Sequence, residues 1–564
     1  MLDRIAHHYV RAAELVNELG PVDGLLPDLQ EKALWWLERA AARATQAEIP
    51  VVAERLYSEG LRLLAGRHGE RHRAFLTGRA RALAGLRDIA PARADAEAAI
   101  VEARSAGPEA DADLGSALLA LADIEQKESR WVAAELALTE AGEVFARLGD
   151  SSGEAEVLRL RGFGALFRHE YAEATQLLER ALARFEELED RRGVAWALQN
   201  LAWCAFYSGH AEQAEVKLRR AATTFEDLGD QGGLRWAHGL LAWTRMQQGH
   251  AAEAEAMAED ILQEDRRGGD RWAIGMMLVL SGSARLWTGR TNSAIERLRE
   301  AQELFDGIGD DFGFSQASAV LGRALVLAGH VQEGLDAVAL IGKDDVNLTD
   351  RQVMVSAMAG LSATVQVGDI ARSEALLGST VGALETVSDD GLVVGDTERV
   401  TAIGLLRLQV GDVAGSVAVL SALDERLAPD VDPNLHSALA LAHSAAGSLD
   451  DALREADEVD LHDRSSYLDR ITAGIARGLA LAHRGDVAAS VAAFDQTRAA
   501  ADATEDRVSQ ALVRLGDATA ASALDSADAA ERTLEADDRL AELGITDTGW
   551  RQAYRLATGL APVA

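Results

Sequence analysis

His68 and His72 stand four residues apart, the spacing that puts two imidazoles on one helix face and suits a pair of metal ligands. No third ligand is evident from the sequence, and Arg67, Arg71 and Arg73 surround the pair, so two solvated histidines is the reading adopted. His7 and His8 are adjacent, point apart on a helix, and read as capping or packing residues. His210, His250 and His330 each follow a glycine and open a helix, which is a turn role. Cys204 lies in the apolar run Leu201-Ala-Trp-Cys-Ala-Phe206 with nothing cationic beside it, so it reads as a buried, inert thiol. As the single cysteine it excludes an intramolecular disulfide and a Cys-rich zinc site. Gly342-Lys343 is followed by two Asp and lacks the Gly of a phosphate cradle, and Arg161-Gly-Phe-Gly164 lacks the third Gly of a dinucleotide fingerprint. Neither H-E-x-x-H nor G-x-S-x-G occurs. Nothing here asks for an enzyme, a cofactor or a bound metal.

The feature above background is aromatic. Phe, Trp and Tyr make up only 5% of the chain, yet they recur at fixed places. Trp196 and Trp236 each precede a glycine, Gly209 or Gly249, by 13 residues, and Trp203 and Trp243 precede the same glycines by six. Tyr207 and Trp287 stand two before Gly209 and Gly289, and Phe163 and Phe167 hold the equivalent places one unit earlier, counted from His169. Steps of seven and four keep Trp196, Trp203 and Tyr207 on one helix stripe, apart from Leu198, Leu201 and Ala205. Trp and Tyr combine a large apolar area with one polar handle, which suits capture of a peptide or helix. Gln199, Asn200, Arg235 and Arg245 lie beside them and supply hydrogen bonds. The competing reading is that these rings only fill the space between successive units.

The elements that position this stripe repeat. Phe145-Ala-Arg-Leu-Gly-Asp150, Phe185-Glu-Glu-Leu-Glu-Asp190, Phe225-Glu-Asp-Leu-Gly-Asp230 and Phe305-Asp-Gly-Ile-Gly-Asp310 fall on a 40-residue lattice, whose missing point ends Gly269-Asp270. Turn glycines at 209, 249, 289 and 329 share the interval, which runs back to Ser129 and His169 and on, less strictly, through Gly368, Gly411, Gly447, Gly485 and Ser526. A third series is small: Ala134, Ala174, Ala214, Ala254 and Ala294, then Gly334. Each unit reads as two helices with apolar residues three and four apart, as at Ala214, Leu218, Ala221, Ala222, Phe225 and Leu228. The turn Gly supplies a positive φ at the end of the first helix. No proline lies between 109 and 428, so no helix there carries a Pro kink, while Pro429 and Pro433 mark an irregular connection. Gly20-Pro-Val-Asp-Gly-Leu-Leu-Pro27 is a loop after a first helix, and 28–46 and 51–64 are helices. Gly391-Leu-Val-Val-Gly395 is the best β-like run and is short.

Gly209, Ala214 five later, Leu218 nine later and Ala221 make the chain resemble the tetratricopeptide repeat family in a long variant of about 40 residues. The match is strong over 115–340 and weak beyond, and the terminal Pro of short-period repeats is replaced by Gly-Asp. The resemblance implies an all-α, right-handed α-solenoid of about twelve antiparallel hairpins. It also implies that the first helix of each hairpin lines the concave side, so that Phe163, Phe167, Trp196, Asn200, Trp203, Tyr207, Trp236, Trp243 and Trp287 face a groove. Arg4-Ile-Ala-His-His-Tyr-Val-Arg-Ala-Ala13 and Leu34-Trp-Trp-Leu-Glu-Arg-Ala-Ala41 further resemble the segment that follows the nucleotide-binding module in large bacterial signalling ATPases, transcription regulators and adenylate cyclases. Within these 564 residues the segment is expected to stand without such a module ahead of it.

The chain has 564 residues, 48% of them apolar, enough to bury a core, and a formal charge of −35. Residues 1–90 hold 13 basic and 12 acidic residues, which leaves 43 basic against 79 acidic beyond them. That balance argues against nucleic acid and anionic membrane as partners and for a basic or apolar protein segment. The first residues lack a signal-like apolar run and no stretch is long and apolar enough to span a membrane, so a reducing cytoplasm is expected. Three divisions are expected: an N-terminal helical segment 1–90, a regular solenoid 91–428, and divergent repeats 429–564 with a terminal helix, Trp550-Arg-Gln-Ala-Tyr-Arg-Leu556, as cap or dimer contact. The expected function is a non-enzymatic scaffold that binds a partner's peptide or helix in the groove. The alternative is the sensor or autoinhibitory arm of a larger signalling ATPase, regulator or cyclase. An enzyme using an acidic groove would need strongly perturbed carboxylates in one pocket.

Overall fold

The structure is a computed structural model that describes residues 2–20, 28–47, 49–268, 271–340, 350–384, 396–427 and 433–562. The loop residues 21–27, the run Gly391–Gly395, the Gly342-Lys343 pair, the Gly269-Asp270 lattice point and Pro429 lie outside them. Among the described residues the regular structure is all helix. In chain order the helices are α1 (Leu2–Leu19), α2 (Leu29–Gln46), α3 (Pro50–Leu64), α4 (Glu70–Gly85), α5 (Ile89–Ala106), α6 (Asp111–Lys127), α7 (Trp131–Leu148), α8 (Ser151–Phe167), α9 (Tyr171–Glu187), α10 (Arg191–Tyr207), α11 (Ala211–Leu228), α12 (Gln231–Gln247), α13 (Ala251–Gly268) and α14 (Arg271–Trp287). They continue with α15 (Thr291–Asp306), α16 (Asp311–Leu327), α17 (Val331–Leu340), α18 (Asp350–Val367), α19 (Ile370–Leu384), α20 (Asp396–Gln409), α21 (Val413–Asp424), α22 (Pro433–Ala445), α23 (Leu449–Leu461), α24 (Tyr467–Arg484), α25 (Val487–Asp502), α26 (Arg507–Ala523), α27 (Ala529–Glu542) and α28 (Trp550–Ala557). The fold class is the all-α solenoid of stacked hairpins. Pro433 opens α22, where its missing N–H costs no hydrogen bond.

The 40-residue lattice has a physical cause at each of its described points. Asp150, Asp190, Asp230 and Asp310 accept hydrogen bonds at 2.6–3.0 Å from the backbone N–H groups of Gly153, Gly193, Gly233 and Gly313, opening α8, α10, α12 and α16. The Phe five residues before each Asp lays its ring over that same glycine, where no side chain fits. The turn glycines 209, 249, 289 and 329 have φ of 74°, 82°, 79° and 95°. Ser129 and His169 adopt the same left-handed backbone at their lattice points, at 56° and 67°. Near the C-terminal end the residue that does so is Asp525, at 50°, one before the expected Ser526 but two after the end of α26, as Gly209 is two after the end of α10. The small-residue series is buried throughout: Ala174, Ala214, Ala254 and Ala294 are solvent-inaccessible, and the close approach they permit lets Leu178 pack on bare Gly162 and Leu298 on Gly282.

Two compact units are present, Met1–Thr244 with Gln263–Arg271, and Arg245–Leu262 with Trp272–Ala564. In the first, each hairpin packs on the next, and first helices also touch across repeats: α4 on α6, α6 on α8, α8 on α10. The second helices α5, α7, α9 and α11 make no comparable contact with one another. First helices therefore lie on the inside of the curve.

The second unit follows the same rule through α16, α18, α20, α22, α24 and α26, and here the chain covers its own inner face. The short α28 lies against α20, α22, α24 and α26. Its apolar stripe, Trp550, Ala553, Tyr554 and Ala557, is buried. The indole N–H of Trp550 donates to the Gln366 carbonyl at 2.9 Å, the Thr548 hydroxyl to Val367 at 2.9 Å, and the Ser444 hydroxyl to the Ala557 carbonyl at 2.8 Å. The expected cap is thus an internal plug across several first helices. Farther along, the Glu505 N–H donates to the Gly289 carbonyl at 2.9 Å, and α16 meets α26, joining hairpins more than 200 residues apart.

Candidate functional site

The aromatic stripe of the first unit sits on the first helices α8, α10 and α12. The structure brings its members into two groups. On α8, Phe163 and Phe167 have ring centroids 4.7 Å apart. On α10, Trp203 and Tyr207 stack at 5.5 Å and 22°, and Tyr207 stacks in turn on Tyr171 at 6.1 Å and 23°. Tyr171 opens α9, and its hydroxyl lies 2.7 Å from Nδ1 of His169. The result is one three-ring column spanning two hairpins. Sequence reasoning missed Tyr171, because it stands on a second helix, where the lattice was read only for small and turn residues.

All eight aromatic members are half-buried. Trp196 turns one edge onto the fully buried Phe225 at 5.2 Å and 67°, and so belongs in part to the hairpin core. Phe163, Phe167, Trp203 and Tyr207 pack against the buried cluster of Leu166, Leu178, Leu201 and Cys204 while keeping part of each ring in solvent. Trp236 and Trp243 are half-buried on α12. Trp287, on α14, belongs to the other unit.

Asn200 is the polar member of the stripe and differs from the rest. It lies on α10 between Trp196 and Trp203, only 2% exposed, and its amide nitrogen is buried with no hydrogen-bond partner. Next to it the buried carbonyl oxygen of Gln199 is likewise without a partner. Elsewhere in the fold comparable amides are used: Gln126 donates to the Leu160 carbonyl and Gln409 to the Val365 carbonyl, each at 2.8 Å, tying one first helix to its neighbour. A buried donor left open costs about 1–3 kcal/mol, so Asn200 is where the stripe holds an unused hydrogen bond. Of the flanking cations, Arg235 reaches the Ala47 carbonyl at 3.4 Å and Arg245 is paired with Glu253 at 3.2 Å.

Cys204 is buried, and burial pushes its thiol up to about 11, so it offers no nucleophile at neutral pH. Carboxyls raised by burial do occur in the second unit. Burial raises Asp506, which accepts hydrogen bonds from the Ser509 hydroxyl at 2.5 Å and the Tyr467 hydroxyl at 2.9 Å. It is sealed inside the α24–α26 packing, so it is a structural acid rather than a group facing a substrate. No described helix is long and apolar enough to cross a membrane.

Among known proteins, the family model for the tetratricopeptide repeat matches residues 153–227. No curated protein sequence matches the chain. Similar solved structures include the APC/C hetero-tetramer Cut9-Hcn1, at 13% identity, TM-score 0.47, covering 93% of this chain and 98% of that one. They also include the Rap protein complexed with Competence and Sporulation Factor, at 13% identity, TM-score 0.39, covering 76% of this chain and 99% of that one. At that identity and those TM-scores neither adds to the functional argument. The matched span runs from the first turn of α8 to the last turn of α11, and across it the chain is similar to the tetratricopeptide repeat.

Proposed function

We propose that the first unit is a non-enzymatic scaffold that captures a peptide or helix of a partner protein on the inner face of α8, α10 and α12. The observation that carries this reading is the open amide of Asn200 set in a stripe of half-exposed rings. The Asn200 amide would turn outward to donate to a partner's backbone carbonyl, and Phe163, Phe167, Trp196, Trp203, Tyr207, Trp236 and Trp243 would supply the apolar contact area. The chain's charge of −35 favours a basic or apolar segment over an acidic one. Localisation in a reducing cytoplasm agrees with a lone buried thiol.

The test is selection of binding peptides from a random displayed library on the whole chain, followed by affinity measurement on Trp203→Ala. The expected result is a selected set enriched in Lys, Arg and apolar residues that loses at least about tenfold in affinity on the variant, a hot-spot loss of about 1.4 kcal/mol or more. Peptides that bind Trp203→Ala as tightly as the parent would place binding elsewhere and end this reading.

A further inference from the structure

The histidine pair set aside in the sequence acquires a third member in the fold. His68 lies in the loop ahead of α4 and His72 in its first turn, while Glu102 comes from the end of α5, the other helix of the same hairpin. Nδ1 of His72 is 2.7 Å and Nδ1 of His68 3.0 Å from the same carboxylate oxygen, Oε2 of Glu102. The other oxygen, Oε1, accepts the Gly69 N–H at 2.7 Å, which fixes the carboxylate plane. The three donor atoms lie within 4.8 Å of one another.

We propose that His68, His72 and Glu102 form a binding site for a divalent first-row transition metal such as Zn²⁺. Two imidazoles and one carboxylate are the donor types such ions take, with three protein ligands and a fourth position left to water. Bonds of about 2.0–2.1 Å in a tetrahedral shell put donors about 3.4 Å apart. The observed 2.7 and 3.0 Å must therefore open only slightly. His68, 74% exposed at its side chain, stands on a loop free to make that shift, whereas His72 and Glu102, each 14% exposed, are held by helices. On binding, each imidazole offers its Nδ1 lone pair to the ion and carries its one proton on Nε2, so the contacts to Oε2 are exchanged for metal bonds.

The neighbouring guanidinium groups do not occupy the site. Arg71 pairs with Glu31 at 2.7 Å, Arg67 donates to the Leu64 and Leu63 carbonyls at 3.2 and 3.3 Å, and Arg73 is held by Asp113 at 2.7 Å. Arg73 also comes within 3.9 Å of Oε1, away from the oxygen that faces the histidines. Bound metal would clamp the α3–α4 connection onto α5.

The test uses the full chain stripped with chelator and titrated with Zn²⁺ by calorimetry, beside His72→Gln, Glu102→Gln and the control His7→Ala/His8→Ala. One ion per chain is expected, lost or weakened at least tenfold in His72→Gln and Glu102→Gln and unchanged in the control. Co²⁺ on the unaltered chain should show the intense visible absorption of a tetrahedral N/O site, a readout that needs no variant to fold. No stoichiometric binding, or Zn²⁺ affinity unchanged by both substitutions with a six-coordinate Co²⁺ spectrum, overturns the proposal.

Discussion

The ring of Phe185 lies where a side chain on Gly193 would have to stand: a Cβ built there would be 2.3 Å from Cδ1. The same relation joins Phe145 to Gly153, Phe225 to Gly233 and Phe305 to Gly313, always eight residues apart. It ties the end of one hairpin to the first turn of the next, through a Phe that closes one core and a Gly that admits it. Gly193→Ala should therefore destabilise the first unit by about 1–3 kcal/mol through overpacking. Urea unfolding followed by circular dichroism measures it, and a midpoint unchanged from the parent would show that the contact is not needed.

Glu189 occupies the lattice place held by Gly149, Gly229 and Gly309, and it is forced to φ of 55°. A left-handed backbone costs a residue with a Cβ about 1–2 kcal/mol relative to glycine. Glu189→Gly should raise stability by about 1 kcal/mol, less what glycine adds to the unfolded chain's freedom, and Gly229→Ala should lower it by a similar amount. Melting curves of the two variants should move in opposite directions.

His436 and Glu455 form a half-buried pair at 2.7 Å. The hydrogen bond that Glu455 accepts from Nδ1 raises the imidazole above its ordinary value. Burial pushes Glu455 up, but His436 and Arg454 more than offset this and leave it low. A raised histidine stabilises fully below its ordinary pKa of about 6.5 and loses that contribution as pH rises through the folded value, and a lowered glutamate stabilises above about 4.5 and loses it as pH falls through the folded value. The melting-temperature gap between the parent and His436→Gln should thus be widest between about pH 4.5 and 6.5 and shrink on either side. A gap constant from about pH 5 to 8 would contradict the pairing.

With its thiol pushed up to about 11 by burial, Cys204 should resist a thiol reagent in the native chain at about pH 8 and react at once in denaturant. Fast native modification would show that α10 opens locally.

Much of this fold is written in the sequence as spacing. The turn glycines, the small residues and the Phe-to-Asp phrase each mark a place where two backbones come close or a helix begins, and such places tolerate few residue types. The positive φ at Ser129 and His169 was legible only from their lattice position, since neither residue type announces it. What was not legible depended on contacts between distant segments. Glu102 joins His68 and His72 from 30 or more residues away, on a helix where nothing local sets it apart from Asp95 and Glu97. The place of α28 required knowing that the second unit's inner face was open to receive it, a consequence of curvature that no local pattern carries. The site itself was half legible. Periodicity put the aromatic stripe on one face of α10, but not the burial of each ring, which depends on how Phe225 and Tyr171 approach from neighbouring helices.

The most direct test of the account is Asn200→Leu, measured twice: by thermal melt, and by affinity for peptides selected on the parent chain. If Asn200 keeps an open donor for a partner's carbonyl, filling its place with an apolar side chain removes a buried unsatisfied group. The melting temperature should hold or rise while affinity falls at least about tenfold. A marked loss of stability with peptide affinity unchanged would make Asn200 a structural residue and contradict the claim that the inner face of α8, α10 and α12 is a binding surface.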